Sequence, residues 1–354
     1  VLGLGVLVAA SGVAAIPAIG KSPAGTGPTQ SGWIVVRDGS EASETGTPGA
    51  DDAGSTPAGA ISWTWQSAGV VRVTFEELGF DGVPVASALA KDGRRCVVLG
   101  WAGTPVNVTV ACDTLGGIRT DTPFTLTYPN GDAADGGATG AYAHFLVSMP
   151  GASSTPSSTY SHASNGGTAT VTYLGTGRYR ATLPGLGNAA ASGTFLVTRY
   201  GASGSCKVVS WRSTPADMEV DVACRDAAGA LIDASHNVLF LRKLGPEGYG
   251  GGPAAYLWAD RLKQAAPYQP VTARSWQSNG KRPTIDRTAV GLYTITFPGM
   301  PKGGTAVVSA YGSGSISCQI GSVRTSAAPA RVQVRCYKPD GSLADSRFTL
   351  AWTK

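Results

Sequence analysis

Six cysteines fall into three pairs, Cys96/Cys112, Cys206/Cys224 and Cys318/Cys336, and the second members recur every 112 residues. An aspartate keeps the same interval at Asp121, Asp233 and Asp345. A period this long exceeds any solenoid unit or propeller blade and matches a whole small β-domain. The 354 residues therefore read as three copies of one disulfide-pinned module, a length suited to two or three ordinary domains. The 49 glycines and 22 prolines favour turn-rich all-β structure over helix bundles.

Aligned on their cysteines, the copies share most of their pattern. Each opens on an aromatic strand, Gly32–Val36, Ala141–Val147 and Ala255–Ala259. A variable loop follows and ends in a polar strand near Trp65-Gln66-Ser67, His162-Ala163-Ser164 or Trp276-Gln277-Ser278. Copies two and three then carry a strand closed by Pro184-Gly185 or Pro298-Gly299, where copy one has Glu76-Glu77 and is expected to lose a strand or remodel an edge. Next comes a strand ending in Tyr200-Gly201 or Tyr311-Gly312, and then the cysteine hairpin. In copy two Met218, Val220, Val222 and Cys224 alternate with Glu219, Asp221 and Ala223, the period of a half-buried strand. Pro215 stands at the midpoint, with Pro105 and Pro329 in comparable places, so the arms turn there and bring the cysteines opposite one another. Each copy closes on its periodic aspartate and a last strand, such as Phe348-Thr-Leu350-Ala-Trp352.

The expectation is all-β: three tandem immunoglobulin-like β-sandwich repeats, each with one hairpin disulfide, over residues 31–129 (divergent), 141–243 and 254–354. Gly-rich joints at 129–140 and 245–253 predict a bending string of beads.

Paired cysteines point to an oxidising compartment. Residues 1–30 agree, because Val1–Gly20 is uncharged, apolar and rich in small residues, and a polar linker follows it. This reads as the core and cleavage region of a secretory signal without its basic start, in a fragment or a chain with an alternative start. A membrane anchor is the competing reading, and its Gly/Ala content and Pro17 favour cleavage. Membrane contact is expected only through that segment if it stays uncleaved, and the chain is expected to be secreted or held at the cell surface. The net charge of +5 is not gathered into a basic run, which argues against nucleic-acid binding.

The sequence of Tyr-Gly, Cys, a Trp five residues on, Val-x-Val-x-Cys, Gly, Asp and Phe-x-Leu resembles uncharacterised disulfide-containing β-sandwich repeat modules of exported actinobacterial proteins. Copies two and three fit best, although copy three has Val323 where the Trp stands, and copy one departs at the Pro-Gly and Tyr-Gly positions. The resemblance implies export and a β-fold and brings no activity with it.

Signals of chemistry are sparse. His144, His162 and His236 do not recur between copies and accompany no nucleophile elbow or zinc-type pair. The six cysteines read as structural, which argues against a thiol enzyme. The carboxylate pairs Asp51-Asp52 and Glu76-Glu77 read as solvated loop residues rather than a glycosidase dyad. Neither the acidic loop with Asp38, Glu41 and Glu44 nor Asn130-Gly-Asp132-Ala-Ala-Asp135 has the spacing of a calcium motif. The periodic aspartates read as turn caps. Trp101 and Trp211 stand five residues after a cysteine, in opposite phase to it, and are the candidate ligand contacts if that phase turns them outward to stack on a sugar. A bulge near the turn would bury them instead. No enzyme, cofactor or metal is expected. The leading expectation is a non-enzymatic surface-adhesion or extracellular structural protein. Carbohydrate or cell-wall binding is the alternative, and a secreted hydrolase or protease inhibitor stands third. The expected partners are a polysaccharide, a wall polymer or another surface protein, with three weak sites in series giving avidity.

Overall fold

Alternating Met218, Val220 and Val222 place their side chains on one face of a strand, and a pleated strand with one apolar face needs a partner sheet to cover it. The computed structural model describes residues 30–37, 44–130, 140–248, 251–324 and 327–354, and all its regular structure is strand apart from two single-turn 3₁₀ helices. The signal-like segment Val1–Gly20, the carboxylates Asp38 and Glu41, and the loop with Asp132 and Asp135 lie outside the described residues.

Each third of the chain forms two antiparallel sheets. In the second, the strand order is Ser161–Ala163, Ala141–Val147, His236–Arg242, Thr194–Arg199 in one sheet. The other runs Thr170–Gly175, Arg178–Leu183, Met218–Arg225, Ser205–Ser213, and a single parallel bridge from Val208 to Tyr311 continues it into Thr305–Tyr311 of the third segment, making one eight-stranded sheet. The third segment repeats both orders. The two sheets of a segment share one core, for example Phe145, Phe195 and Phe240 from the first sheet with Tyr179, Val220 and Val222 from the second. The first segment is not short of a strand: it keeps both sheets and adds Thr45–Gly46 at the edge of the cysteine sheet. Its Trp65 lies in Ile61–Ser67, which pairs with Val70–Phe75, whereas Trp276 belongs to the short strand beside Ala254–Ala259. The two tryptophans are therefore not equivalent, because the intervening loop changed length while its aromatic-polar composition did not.

All three disulfides form in the expected pairs: Cys96 with Cys112, Cys206 with Cys224 and Cys318 with Cys336. Each joins directly opposed residues of a hairpin at a Cα–Cα distance of 4.0 Å. The periodic aspartates cap a turn on the neighbouring hairpin. Asp121, Asp233 and Asp345 accept the backbone N–H of Gly69, Gly177 and Gly291 at 2.6, 2.6 and 2.9 Å. Those glycines have φ of +68°, +65° and +68°, and a Cβ on any of them would meet backbone atoms at 2.6 to 2.8 Å. Glycine and aspartate thus recur together because each turn needs both a left-handed residue and an acceptor.

The segments do not hang as beads. The edge strand of each cysteine hairpin meets the Tyr-Gly position of the next segment, so Gly201 N–H donates to Val98 O at 2.8 Å and Gly312 N–H to Val208 O at 2.9 Å. The third contact returns to the start, with Ala90 N–H donating to Ile320 O at 2.9 Å. The three segments therefore close into a ring about a pseudo-threefold axis. Hydroxyls repeat the same cycle: Ser87 to Val308 O, Ser309 to Val197 O and Thr198 to Ala86 O, at 3.3, 3.4 and 3.3 Å. Val85, Tyr142, Leu196, Leu239, Leu241, Tyr256, Val307 and Ala351 form a fourth core between the segments. Ala141–Val147 and Phe124–Asn130 are buried at every residue, as strands covered on both faces must be. Short joints can link flexible beads only where the outward faces are polar, and here they are apolar.

Candidate functional site

Ring closure leaves a cavity of about 50 Å³ on the pseudo-threefold axis, lined by equivalent positions of all three segments. Its wall comes from the strand ending at the Tyr-Gly position and from the start of the cysteine hairpin. Three of its cations come from three different layers. Arg95 precedes Cys96, where the other segments carry Ser205 and Ser317. Lys207 follows Cys206, where they carry Val97 and Gln319. Arg199 stands at the place of Ala88 and Ala310. The exposures of Arg95, Arg199 and Lys207 are 8%, 6% and 4%.

The polar contacts knit the segments together. Lys207 Nζ donates to Ile316 O at 3.0 Å, and Arg95 donates to Ser317 Oγ at 3.4 Å and to Ala227 O at 3.3 Å. Arg199 donates to Arg225 O at 2.8 Å. No lining residue is a carboxylate. Asp113 and Asp226 act from behind the wall, where Asp113 pairs with Arg119 at 2.6 Å and accepts Ser203 Oγ at 2.7 Å. Asp226 accepts the N–H of Ala230 at 2.9 Å. Burial, reinforced by the charge of Arg225, pushes the Lys207 ammonium down to about 7. Burial also lowers Arg95 and Arg199, against the pull of the two aspartates. Gln319, 3% exposed, has no partner for either Nε2 or Oε1, and Arg199 Nε has none either. The chemistry on offer is that of cationic and neutral donors converging on a small volume.

The cysteines span this wall and the module cores, Cys96 and Cys206 belonging to both. The first member of each pair, Cys96, Cys206 and Cys318, lines the cavity. The second members, Cys112, Cys224 and Cys336, stand off the wall and are buried among the apolar residues of the first, second and third cores. Each disulfide thus ties the axial strand of a hairpin to the interior of its own module. With all six sulfurs bonded there is no free thiol, so Cys112 and Cys336 supply neither a nucleophile nor a ligand contact, and their part is to hold the cavity strands in register.

The other residues singled out from the sequence lie away from the cavity. Trp101 and Trp211 do not face solvent; they are 8% and 4% exposed. The phase argument fails because all three cysteine hairpins carry a β-bulge after Val98, Val208 and Ile320, and this extra residue returns Trp to the face of its cysteine. Both indoles fill seams of the ring. Trp101 packs edge-on to Tyr160 and Tyr200, and Trp211 edge-on to Trp258 and Tyr311. Their Nε1–H groups donate to Phe80 O and Ala191 O at 3.0 and 3.2 Å.

Two of the three histidines are buried into neutrality, His144 held down to about 3 and His236 to about 4 by desolvation, while His162 is half-buried. His144 Nδ1 lies 2.8 Å from the Tyr142 hydroxyl, its ring 5.8 Å from that of His162. Cys206, Cys224 and His236 lie close together, but both sulfurs are committed to the disulfide, which removes them as metal ligands. Asp51 and Asp52 are not a free acidic pair. Asp52 holds Arg37 through two bonds of 2.8 Å, and Asp51 joins Lys354 and Lys302 across the seam between the first and third segments at 2.6 and 3.1 Å. Those lysines, Lys354 foremost, hold the Asp51 carboxyl below its usual range. Glu76 and Glu77 are exposed.

No protein-family model, curated protein or solved structure matches this chain.

The cavity cations escaped sequence reasoning because none recurs at the 112-residue interval. The available signal was an exception to the repeat: a charged residue where both sister copies carry Ala, Ser, Val or Gln.

Proposed function

We propose that the chain is an exported, non-enzymatic protein in which three immunoglobulin-like modules form one rigid unit used in surface adhesion or extracellular structure. One observation carries this reading: the recurring residues are committed to building the fold. The cysteines pin hairpins, the aspartates cap turns, and the two hairpin tryptophans seal seams of the ring. Repetition thus serves architecture, and triplication supplies a closed assembly within a single chain. The three disulfides favour an oxidising, extracellular setting.

Closure changes what avidity means for such a molecule. Equivalent surfaces sit at fixed angles about an axis, so simultaneous engagement needs a target that presents its repeats on one surface rather than along a slack strand. The test is retention of the oxidised protein on purified bacterial cell wall and on insoluble polysaccharides, with soluble fragments assayed in the supernatant. Retention without fragment release supports adhesion. Release of wall fragments by the purified protein would overturn the non-enzymatic reading. Absence from both the wall fraction and the medium of expressing cells would overturn export.

A further inference from the structure

We propose that the axial cavity is a binding site for a single small oxyanion group of phosphate or sulfate size. Four cations line the wall: Arg94, half-buried and paired with Asp92, and Arg95, Arg199 and Lys207, all more than nine-tenths buried; the lining contributes no carboxylate of its own. Buried like charges without a lining counter-charge are unfavourable, and a bound anion relieves both their repulsion and their desolvation. Asp113 is paired with Arg119 and Asp226 accepts the Ala230 N–H, so their attraction for Arg95 and Arg199 reaches the cavity only from behind its wall and leaves its interior without an anion. Gln319 aims two unpartnered polar atoms from the opposing wall, so its amide is available as a further donor.

Pseudo-symmetry sharpens the case. Lys207 and Arg95 do bond across the seams, but the sister positions close the same seams without a charge, so the ring does not require one. Those positions hold Ala88 and Ala310 for Arg199, Val97 and Gln319 for Lys207, and Ser205 and Ser317 for Arg95. Each of these charges occurs once, in a different layer, and so does the fourth, Arg94, whose sister positions hold Gly204 and Ile316, yet all line one cavity. Position by position the fold closes without the charge, and the charges converge only at the axis. A cavity of about 50 Å³ admits a tetrahedral oxyanion and is far below the several hundred Å³ of a site for a sugar ring or a nucleobase. Planar guanidinium groups suit phosphate and sulfate oxygens. A free ion and the terminal group of a phosphomonoester share this chemistry.

The experiment is titration calorimetry of the whole oxidised protein with sodium phosphate and with sodium sulfate, against sodium chloride of matched ionic strength, at pH 6.5. Glycerol phosphate forms a parallel arm. The expected result is saturable binding of one phosphate or sulfate per chain, with chloride silent. Arg199→Ala and Lys207→Val install the residues of sister modules and are expected to keep the fold, checked by melting temperature, while weakening binding by about tenfold or more each. Binding of inorganic phosphate alone identifies the free ion as ligand, and binding of glycerol phosphate as well identifies a group carried on a larger molecule. Absence of saturable binding by the wild-type chain would overturn the proposal. Binding that survives unchanged in folded Arg199→Ala and Lys207→Val chains would overturn it too, by placing the anion elsewhere.

Discussion

Replacing Cys206 and Cys224 together by alanine removes one disulfide and asks whether the ring melts as one body. The bond closes a hairpin with a sequence separation of 18, for which loss of the cross-link releases about 3 kcal/mol of chain entropy into the unfolded state. What that energy does to the melting curve depends on how much chain unfolds with it. Entropy of unfolding near 60 °C is about 2.1 cal/mol/K per residue, so a module of roughly 100 residues melting alone would lose about 15 °C. A cooperative body of roughly 300 residues would lose only about 5 °C. The cyclic backbone contacts and the shared fourth core predict the second outcome. Differential scanning calorimetry of the oxidised double variant should show one transition, displaced by about 5 °C, with the calorimetric and van't Hoff enthalpies still in agreement. Three resolved transitions, with one displaced by about 15 °C and two unmoved, would refute the ring as a cooperative unit and restore independent modules.

Trp211→Ala should destabilise the chain by about 3–5 kcal/mol in urea titrations, since it empties a buried seam between the second and third segments; a loss under about 1 kcal/mol would mean that the seam is not packed in solution. Asp345→Ala removes the acceptor of Gly291 N–H and the partner of Arg287, with an expected loss of about 2 kcal/mol, and an unchanged denaturation midpoint would refute the turn-cap account. Lys207 supplies a pH test whose sign is fixed by its displacement. Its folded value of about 7 lies below the ordinary 10.5, so the unfolded chain holds the extra proton between those values and stability contributed by this group rises over that window. Arg225, Arg95 and Arg199 share its surroundings and stay charged throughout, so the rise should be absent from Lys207→Val; parallel pH profiles for the two chains would refute it. His236, held at about 4 against an ordinary 6.5, acts in the same sense at lower pH, its contribution falling as pH drops from about 6.5 to 4, and no such fall in anion-free buffer would refute its buried neutral state.

Much of the local architecture was legible in the residues. The spacing of Cys96 to Cys112, Cys206 to Cys224 and Cys318 to Cys336 marked the hairpins, the alternation in Met218–Cys224 marked their inner face, and the periodic aspartates marked the capped turns. Ring closure was not read, although a signal for it was present. The strand Ala141–Val147 runs Ala-Tyr-Ala-His-Phe-Leu-Val with His144 its one strongly polar alternate, and its outward Tyr142 and Leu146 were available to a second layer. A strand covered on both faces declares itself by losing its alternation, and the partner that covers it lies a whole module away in sequence. The outward phase of Trp101 and Trp211 was misleading for another reason. A bulge adds one residue without a fixed sequence signature, and one residue inverts every side chain beyond it.

The site itself resisted sequence reading because repeats and sites obey opposite rules. A residue needed by the fold of one module is needed three times and appears at the period, as Cys112, Cys224 and Cys336 do. A residue needed at a point on the symmetry axis is needed once, since three copies of Arg199 would crowd three guanidinium groups into about 50 Å³. Ring closure brings equivalent positions together at the axis, and divergence there fills a single site from different layers, one cation at a time. In a homotrimer the same point could carry only threefold-related side chains, so Arg95, Lys207 and Gln319 could not be set independently. Fusion of the three modules into one chain lifts that constraint. The departures from the repeat at positions touching the axis are therefore where this molecule's specificity is to be sought.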